Sequence, residues 1–323
     1  MKNVVCGLLA AATVLWLGAA TAQQKYPTKS IRFIVADGPG SSTDLVARAL
    51  EPVLSELLRQ AVVIENRPGA GGNTGIDVVA KSAPDGYTIG LGTAGALAAN
   101  VSLYPKMPYH PATDLAPVSN VAFVPFMLIA HPKVPASTLE ELIVLARAKP
   151  GELLLGHGGN GTAMHLSGEL FKLMATLQMV NVPYKGSAPV AKDAAGGQLQ
   201  LGIVDVGAGL PYVKAGTVKA LAVTSARRVT AAPQVPTFAE SGLPGYEATG
   251  WFGIVANART PADIVGRLNT DIVAALKRAE VRDRIIAAGA EPAPSTPAAF
   301  GELIRAEIDK WAEVVRNSGA RAD

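Results

Sequence analysis

The sequence predicts a two-domain α/β protein, and three observations support this. The chain has 323 residues, of which 49% are hydrophobic and only 17% are charged. It therefore has ample apolar surface for folded cores, and its composition is not that of a disordered protein. At roughly 100–200 residues per domain, that length indicates two domains. Short β-branched runs alternate with amphipathic helical patterns, which is typical of βαβ units.

The first 22 residues have the pattern of a secretory leader. Lys2 precedes an apolar run from Val4 to Gly18, and Ala20-Thr21-Ala22 follows as a small-residue cleavage site. The alternative is a membrane anchor, but about 15 apolar residues are fewer than the ~20 a spanning helix needs. We therefore expect export to the periplasm with cleavage near Ala22. Cys6 is the single cysteine and leaves with the leader, which excludes disulfides and thiolate sites from the mature chain.

The first group of elements begins with a strand at Ile31–Val35, a glycine loop at Gly38–Gly40 and an amphipathic helix at Thr43–Leu58. Thr43 or Asp44 is expected near the helix N-cap. The alternation then continues with a strand at Ala61–Ile64, a glycine-rich turn at Arg67–Gly75, a helix around Ile76–Lys81 and a strand at Tyr87–Gly92.

A second group follows a long β-like stretch, Val118–Ala130, which Pro125 interrupts at a plausible passage between domains. Ser137–Lys149 is predicted as a helix opened by a capping box at Ser137–Glu140. The remaining elements are a strand at Glu152–Leu155, a loop at Gly156–Gly161, a helix at Thr162–Leu177 and strands at Asn181–Pro183, Leu199–Val204 and Val218–Thr224.

The C-terminal part is predicted to return to the first domain. Ala231–Gly245 is a proline-rich connector, and Gly250–Ala256 is a strand that can rejoin the first sheet. Thr260–Asp263 is expected to cap the next helix, with proline at its first position. The last helix carries one apolar stripe, formed by Phe300, Leu303, Ile304, Trp311, Val314 and Val315.

Catalytic, metal and nucleic-acid signatures are absent from the sequence. No nucleophile elbow, zinc-protease motif or phosphate-binding P-loop occurs. Two of the four histidines, His110 and His131, precede prolines, which is typical of turns, and His157 and His165 lie eight residues apart across a glycine loop, without the three or four clustered ligands that a metal site needs. The net charge is only +3 and the longest basic run is Arg227-Arg228, which does not indicate nucleic-acid binding. We therefore expect no enzyme activity, no metal and no cofactor.

Gly156–Gly161 matches the G-x-G-x-x-G pattern between a strand and a helix, and three readings remain open. A dinucleotide site needs an acidic residue about 20 positions later, but Val180–Pro183 supplies none. The other readings are a purely structural tight turn and a ligand-contacting loop.

Three glycine loops join strands to helices, at Gly38–Ser42, Gly92–Gly95 and Gly158–Thr162. Such loops let backbone N–H groups and helix N-termini approach an anion without any basic side chain. The alternative is that each loop only turns the chain and caps its helix. The hydroxyl groups that add donors to these loops belong to Ser41, Ser42, Thr43, Thr93 and Thr162.

Ten motifs, in this order, resemble one protein family over essentially the whole mature chain. They are Tyr26-Pro27, Ile34–Arg48, Val63–Gly75, Ala83–Tyr87, Asp114–Val118, Gly158–Leu166, Val182–Pro189, Ala215–Arg227, Val235–Gly242 and Trp251–Gly253. The sequence resembles the extracytoplasmic solute-binding receptors of tripartite tricarboxylate transporters, also called the Bordetella uptake gene (Bug) group. The resemblance implies a type II periplasmic-binding-protein fold, in which two βαβ domains are joined by two crossover segments with a ligand cleft between them.

The resemblance also implies a set of ligand-binding residues in the strand-to-helix loops. His165 is expected as a structural neighbour of this set, whereas Asp37 and His157 depart from the pattern that is common in the family. The implied ligand-binding residues are Gly40, Ser41, Ser42, Thr43, Asp44, Thr93, Ala94, Gly159, Asn160, Gly161, Thr162 and Asp205.

These expectations define a receptor with a signal peptide at 1–22, a discontinuous first domain at 23–122 plus 249–323 and a second domain at 123–248. We expect a monomer, and the resemblance implies that it captures a small carboxylate and delivers it to membrane permease subunits. Two alternatives remain open: a ligand sensor that docks on a membrane signalling protein, and an exported enzyme on the same fold.

Overall fold

The structure is a computed structural model that describes residues 26–321. The predicted leader at 1–22, including Cys6 and the cleavage site, lies outside the described residues. In chain order the strands are β1 (Ile31–Val35), β2 (Val62–Asn66), β3 (Thr88–Thr93), β4 (Leu115–Val124), β5 (Phe126–Ala130), β6 (Leu154–His157), β7 (Val180–Pro183), β8 (Leu201–Asp205), β9 (Lys219–Val223), β10 (Gly250–Asn257) and β11 (Glu291–Pro292).

The strands form two separate sheets. The six-stranded sheet has the order β11-β4-β10-β3-β1-β2, and the five-stranded sheet has the order β7-β6-β8-β5-β9. In the first sheet β1 pairs in parallel with β2 and β3, whereas β10 is antiparallel to β3 and β4. In the second, β6 is parallel to β7 and β8, and β5 is antiparallel to β8 and β9. The predicted α/β architecture with two sheets is therefore confirmed.

Helices cover both sheets with apolar faces. The first helix, for example, buries Val46, Leu50, Val53 and Leu54. Each such side chain contributes about 1.5–3 kcal/mol when it is removed from water. In chain order the α-helices are α1 (Ser42–Leu58), α2 (Asn73–Ala80), α3 (Asn100–Leu103), α4 (Pro111–Asp114), α5 (Leu139–Ala148), α6 (Ala163–Ala175), α7 (Ser187–Gly196), α8 (Val206–Lys214), α9 (Ala262–Lys277), α10 (Ala279–Ala287) and α11 (Pro297–Ser318).

The chain changes sheet twice. The first change falls at Pro125, between β4 and β5, and the second lies between β9 and β10. Because β10 pairs with β3 and β4, the C-terminal part of the chain returns to the first sheet, as predicted. β4 itself continues in the first sheet through Val124, and the residue limits of the two domains remain a prediction.

Helix α11 closes the six-stranded side. Phe300, Ile304 and Trp311 are buried on its inner face. The indole N–H groups of Trp251 and Trp311 both donate to Oε2 of Glu307, at 3.3 and 2.8 Å. This pairing satisfies a carboxylate that would otherwise be costly to bury. It also fixes Trp251, which begins the part of β10 nearest the functional site.

Three predicted helix starts are wrong in detail. Helix α1 starts at Ser42 with Ser41 as its N-cap, rather than Thr43 or Asp44. The capping box of α5 uses Thr138 and Glu141, one residue later than predicted, because Thr138 Oγ1 accepts from the Glu141 amide. Pro261 occupies the N-cap of α9, and the Thr260 hydroxyl makes no cap bond. No helix in residues 26–321 combines the length and apolar character of a membrane span.

Candidate functional site

A cavity of about 670 Å³ lies where loops of the two sheets face each other. This volume falls within the roughly 300–1,000 Å³ of small-molecule sites. The six-stranded side contributes the β1–α1 loop, the glycine turn before α2, the end of β3 and the start of β10. The five-stranded side contributes the loops that lead into α6, α7 and α8. The loop ends of both sheets therefore form its walls.

Most of the predicted ligand-binding residues lie on this cavity. The members of the predicted set that line it are Gly40, Ser41, Ser42, Thr43, Thr93, Ala94, Gly161, Thr162 and Asp205. Asp44, Gly159 and Asn160 do not line it. Asp37 also lines the cavity, whereas His157 is buried behind it.

The N-terminus of α1 presents free backbone donors to the cavity. The Ser41 hydroxyl caps the helix by accepting from the Asp44 amide at 3.2 Å. Within residues 26–321, no group accepts a hydrogen bond from the amides of Ser42 and Thr43. Unsatisfied N–H groups at a helix start carry about half a positive charge and favour an anion.

Asp44 holds the β1–α1 loop in shape from behind. Its buried carboxylate accepts from the Gly40 amide at 2.8 Å, from Arg48 Nε at 2.9 Å and from Asn66 Nδ2 at 3.0 Å. Burial by itself raises the pKa of Asp44, but these hydrogen bonds outweigh it and keep the pKa below its ordinary value. The Asp44 carboxylate therefore holds Gly40 in place, and its contact with a ligand stays a prediction.

The N-terminus of α6 faces the cavity from the other side. Thr162 is its N-cap, with its hydroxyl accepting from the His165 amide at 3.3 Å. The amides of Ala163 and Met164 find no acceptor in residues 26–321. Gly159 has a φ of +127°, and a Cβ there would lie 3.1 Å from the Tyr184 carbonyl oxygen. This position in the loop therefore requires glycine.

Two stacked imidazoles support the Gly158–Thr162 loop from inside. The rings of His157 and His165 are 4.4 Å apart. Nδ1 of His157 accepts from the Gly159 amide at 3.3 Å, and Nδ1 of His165 accepts from the Gly161 amide at 3.2 Å. Both bonds need an unprotonated Nδ1. The loop that presents Gly161 and Thr162 is therefore held by hydrogen bonds to two imidazole nitrogens.

Burial and the neighbouring His165 lower the pKa of His157 to about 4. Behind the pair, Glu169 accepts from Lys172 Nζ at 2.7 Å and from Asn181. Burial raises the pKa of Glu169, but hydrogen bonds from His165, Lys172 and Asn181 bring it down to about 2. His157 thus stays neutral, and Glu169 stays ionised, at neutral pH.

A third helix, α7, begins at the cavity, and it is not among the helices predicted from the sequence. Lys185, Gly186 and Ser187 lead into α7 and line the cavity with Ala188 and Pro189. The Ser187 hydroxyl donates to Asp205 Oδ2 at 2.8 Å and accepts from the Asp205 amide at 3.0 Å. The signal in the sequence was Gly186-Ser187-Ala188-Pro189 followed by apolar residues at 190, 191 and 194, which is typical of a helix N-terminus.

Apolar side chains complete the cavity. Phe126, Met164 and Phe252 line it beside Val124 and Trp251. Gly250 leaves room for the Phe126 ring, since a Cβ there would lie 2.8 Å from the ring. The cavity therefore combines backbone donors with a hydrocarbon surface, an arrangement suited to a small organic anion.

Basic side chains other than Lys185 are absent from the cavity wall within residues 26–321. Arg32 and Arg67 pair with Glu65, and Arg48 pairs with Asp44. The described residues also contain no cluster of three or more histidine, cysteine, aspartate or glutamate side chains able to hold a metal ion.

Comparison with known proteins places the chain in a family. The sequence model of the tripartite tricarboxylate transporter family receptor (TctC) matches residues 46–320. Protein BugT of Bordetella pertussis is 40% identical over 306 residues, which cover 94% of each chain.

Solved structures agree with this result. The R. palustris protein Rpa4515, solved with adipate, is 40% identical with a TM-score of 0.81, covering 92% of this chain and 99% of that one. MatC from Rhodopseudomonas palustris, solved with malate, is 31% identical with a TM-score of 0.77, covering 90% and 100%. The predicted periplasmic-binding-protein fold is thereby confirmed, and the chain belongs to the TctC, or Bug, family of solute-binding receptors.

Proposed function

We propose that this protein is a periplasmic receptor that captures a small carboxylate in its cavity and delivers it to the permease subunits of a tripartite transporter. The observation that carries the proposal is the pair of helix starts on opposite walls. The amides of Ser42 and Thr43 on one wall, and of Ala163 and Met164 on the other, are free to bind carboxylate oxygens. The carboxylates bound by the R. palustris relatives, adipate and malate, support the same ligand class.

Because donors for the ligand lie on both walls, a bound carboxylate contacts the loops of both sheets at once. A ligand that interacts better with the closed arrangement shifts the population toward it. The receptor then presents a closed, loaded form to its membrane partner, and it makes or breaks no bond. The leader pattern at residues 1–22 supports the periplasmic location, and we expect the receptor to act as a monomer.

A thermal-shift screen tests the ligand class. The probes are succinate, malate, glutarate, adipate, citrate and aromatic acids, with sugars and cations for comparison. A carboxylate at 100 times its Kd stabilises the folded state by about 2.7 kcal/mol, which is a readily measured rise in Tm. If sugars or cations raise the Tm and no carboxylate does, the proposal is wrong.

Proline substitution at the first helical residue tests the helix starts themselves. Ser42→Pro and Ala163→Pro each delete one amide donor, and proline fits this position because the preceding residues, Ser41 and Thr162, have extended backbones. A hydrogen bond to a charged group is worth about 1.5–3 kcal/mol, so each variant should weaken carboxylate binding about 10- to 150-fold.

Two matched controls accompany these variants. Ala262→Pro makes the same change at the start of α9, away from the cavity, and should bind like the wild type. Ser42→Ala removes only the hydroxyl and keeps the amide, so it separates the two donors of that residue. Unchanged affinity in both Ser42→Pro and Ala163→Pro would contradict amide capture of the ligand.

A further inference from the structure

Two glycines bring the six-stranded and five-stranded sides of the molecule into direct backbone contact. Gly207 lies in the first turn of α8, on the five-stranded side, and Gly289 lies between α10 and β11, on the six-stranded side. A Cβ atom on Gly207 would lie 3.3 Å from Cα of Gly289 and 3.7 Å from its amide nitrogen. A Cβ atom on Gly289 would lie 3.3 Å from the amide nitrogen of Gly207. The two backbones therefore meet more closely than a side chain at either position would comfortably allow.

This contact lies beside the cavity and beside one of the two crossovers. Ala208, the residue after Gly207, lines the cavity. The amide of Val206 donates to the carbonyl oxygen of Pro125 at 3.4 Å, at the point where the chain passes from the first sheet to the second. On the other side, β11 follows Gly289 and pairs with β4 just before the same crossover. A rotation of one side against the other about this crossover therefore changes the spacing of the two glycines.

Local backbone conformation explains Gly289 but not Gly207. Gly289 has a φ of +82°, in the left-handed region that favours glycine after the end of a helix. The φ of Gly207 lies outside that region, and a helical position suits alanine better than glycine. Apart from its chain neighbours and its own helix backbone, Gly289 supplies the only atoms of residues 26–321 within 4 Å of a Cβ on Gly207. Contact with the other side of the molecule is therefore what favours glycine at this position of α8.

A hydrogen bond joins the same two parts of the molecule next to the glycines. The amide of Thr230 donates to Oε1 of Glu291, the first residue of β11, at 3.4 Å. Thr230 belongs to the five-stranded side, because its neighbour Val229 is buried in the core of that side. The bond is long and exposed, and therefore weak. It nevertheless gives the segment after α10 a second contact with the five-stranded side.

We propose that the contact between Gly207 and Gly289 determines how closely the two sides approach around a ligand, so that Gly207 controls the affinity for carboxylates from outside the cavity. This inference rests on the proposed function, in which one ligand binds donors on both walls. A side chain at Gly207 would separate the walls and lower the population of the closed arrangement. The apparent Kd rises by the reciprocal of that population, so every carboxylate should lose affinity by the same factor. A change of shape inside the cavity would instead affect ligands of different length unequally.

Calorimetric titration of Gly207→Ala and Gly207→Val tests the contact. The ligands are those of succinate, malate, glutarate, adipate and citrate that bind the wild type. Gly207→Ala should raise each Kd, and Gly207→Val should raise each Kd about tenfold or more, by the same factor for all ligands. Small-angle X-ray scattering should also show a smaller ligand-induced decrease in the radius of gyration for Gly207→Val than for the wild type.

The matched controls are Gly266→Ala and Gly266→Val in α9. Gly266 is exposed and a Cβ there meets no atom within 4 Å, so both variants should bind like the wild type. Circular dichroism checks that all four variants fold.

Two results would refute the inference while carboxylate capture stands. One is that Gly207→Val binds each carboxylate as tightly as the wild type and contracts as much on binding. The other is that its loss of affinity differs between ligands of different length, which would indicate a distorted cavity rather than incomplete closure. If none of the carboxylates binds the wild type, the proposed function itself fails.

Discussion

Replacing His157 should remove a large part of the acid sensitivity of this protein. The buried imidazole has its pKa lowered to about 4, against an ordinary value near 6.5. Between these two values the unfolded chain binds a proton that the folded chain rejects. Folded stability from this group is therefore complete above pH 6.5 and declines as the pH falls toward 4.

The magnitude follows from the two pKa values. One unit of pKa difference corresponds to about 1.4 kcal/mol. The contribution of His157 should therefore lower the free energy of unfolding by about 2 kcal/mol when the pH changes from 7.5 to 5.0. Acidification should lower the free energy of unfolding, because burial and the neighbouring His165 disfavour the protonated imidazole of His157. Other groups titrate over the same interval, and a comparison with a variant cancels their contribution.

The variant is His157→Asn, whose side-chain oxygen can accept from the Gly159 amide as Nδ1 of His157 does. Urea denaturation at pH 7.5 and pH 5.0 gives the free energy of unfolding of each protein. The wild type should lose about 2 kcal/mol more than His157→Asn between the two pH values. His110→Asn is the matched control, since Nδ1 of exposed His110 also accepts from an amide two residues ahead. Equal losses in the wild type and His157→Asn would refute the account of a neutral, buried imidazole.

Two further predictions concern the loops. Asp44→Asn should lower the free energy of unfolding by about 1–3 kcal/mol in urea denaturation, because an amide cannot accept all three hydrogen bonds that the carboxylate receives. A variant with the same free energy of unfolding as the wild type would show that Asp44 does not organise the loop. Gly159→Val should abolish carboxylate binding in calorimetry while leaving the circular dichroism spectrum unchanged, because valine cannot adopt a φ of +127° without strain of about 1–3 kcal/mol; wild-type affinity would contradict that reason.

The sheets and the main helices were accessible from the sequence because their signals are local. Ile31–Val35 is a buried apolar run, and Thr162 carries the cap signal of α6. Helices α7 and α8 were missed because glycine, alanine and proline leave them weakly periodic, with Pro189 and Pro211 inside. Tertiary packing, rather than propensity, maintains these helices.

The details of the cavity depend on contacts between distant parts of the chain. Asn66 reaches Asp44 across 22 positions, and Ser187 reaches Asp205 across 18. The stacking of His157 on His165 follows from the turn between them rather than from either residue type. A sequence pattern identifies the loops, but it does not show which side chain faces the cavity and which supports it from behind.

A crystal structure of the protein with the tightest-binding carboxylate of the screen would show which groups hold the ligand. We predict that the carboxylate oxygens lie about 3 Å from amide nitrogens at the starts of both α1 and α6, which include Ser42 and Ala163. A ligand found outside this cavity, or held in it with no contact to either helix start, would refute capture of the carboxylate by the helix starts.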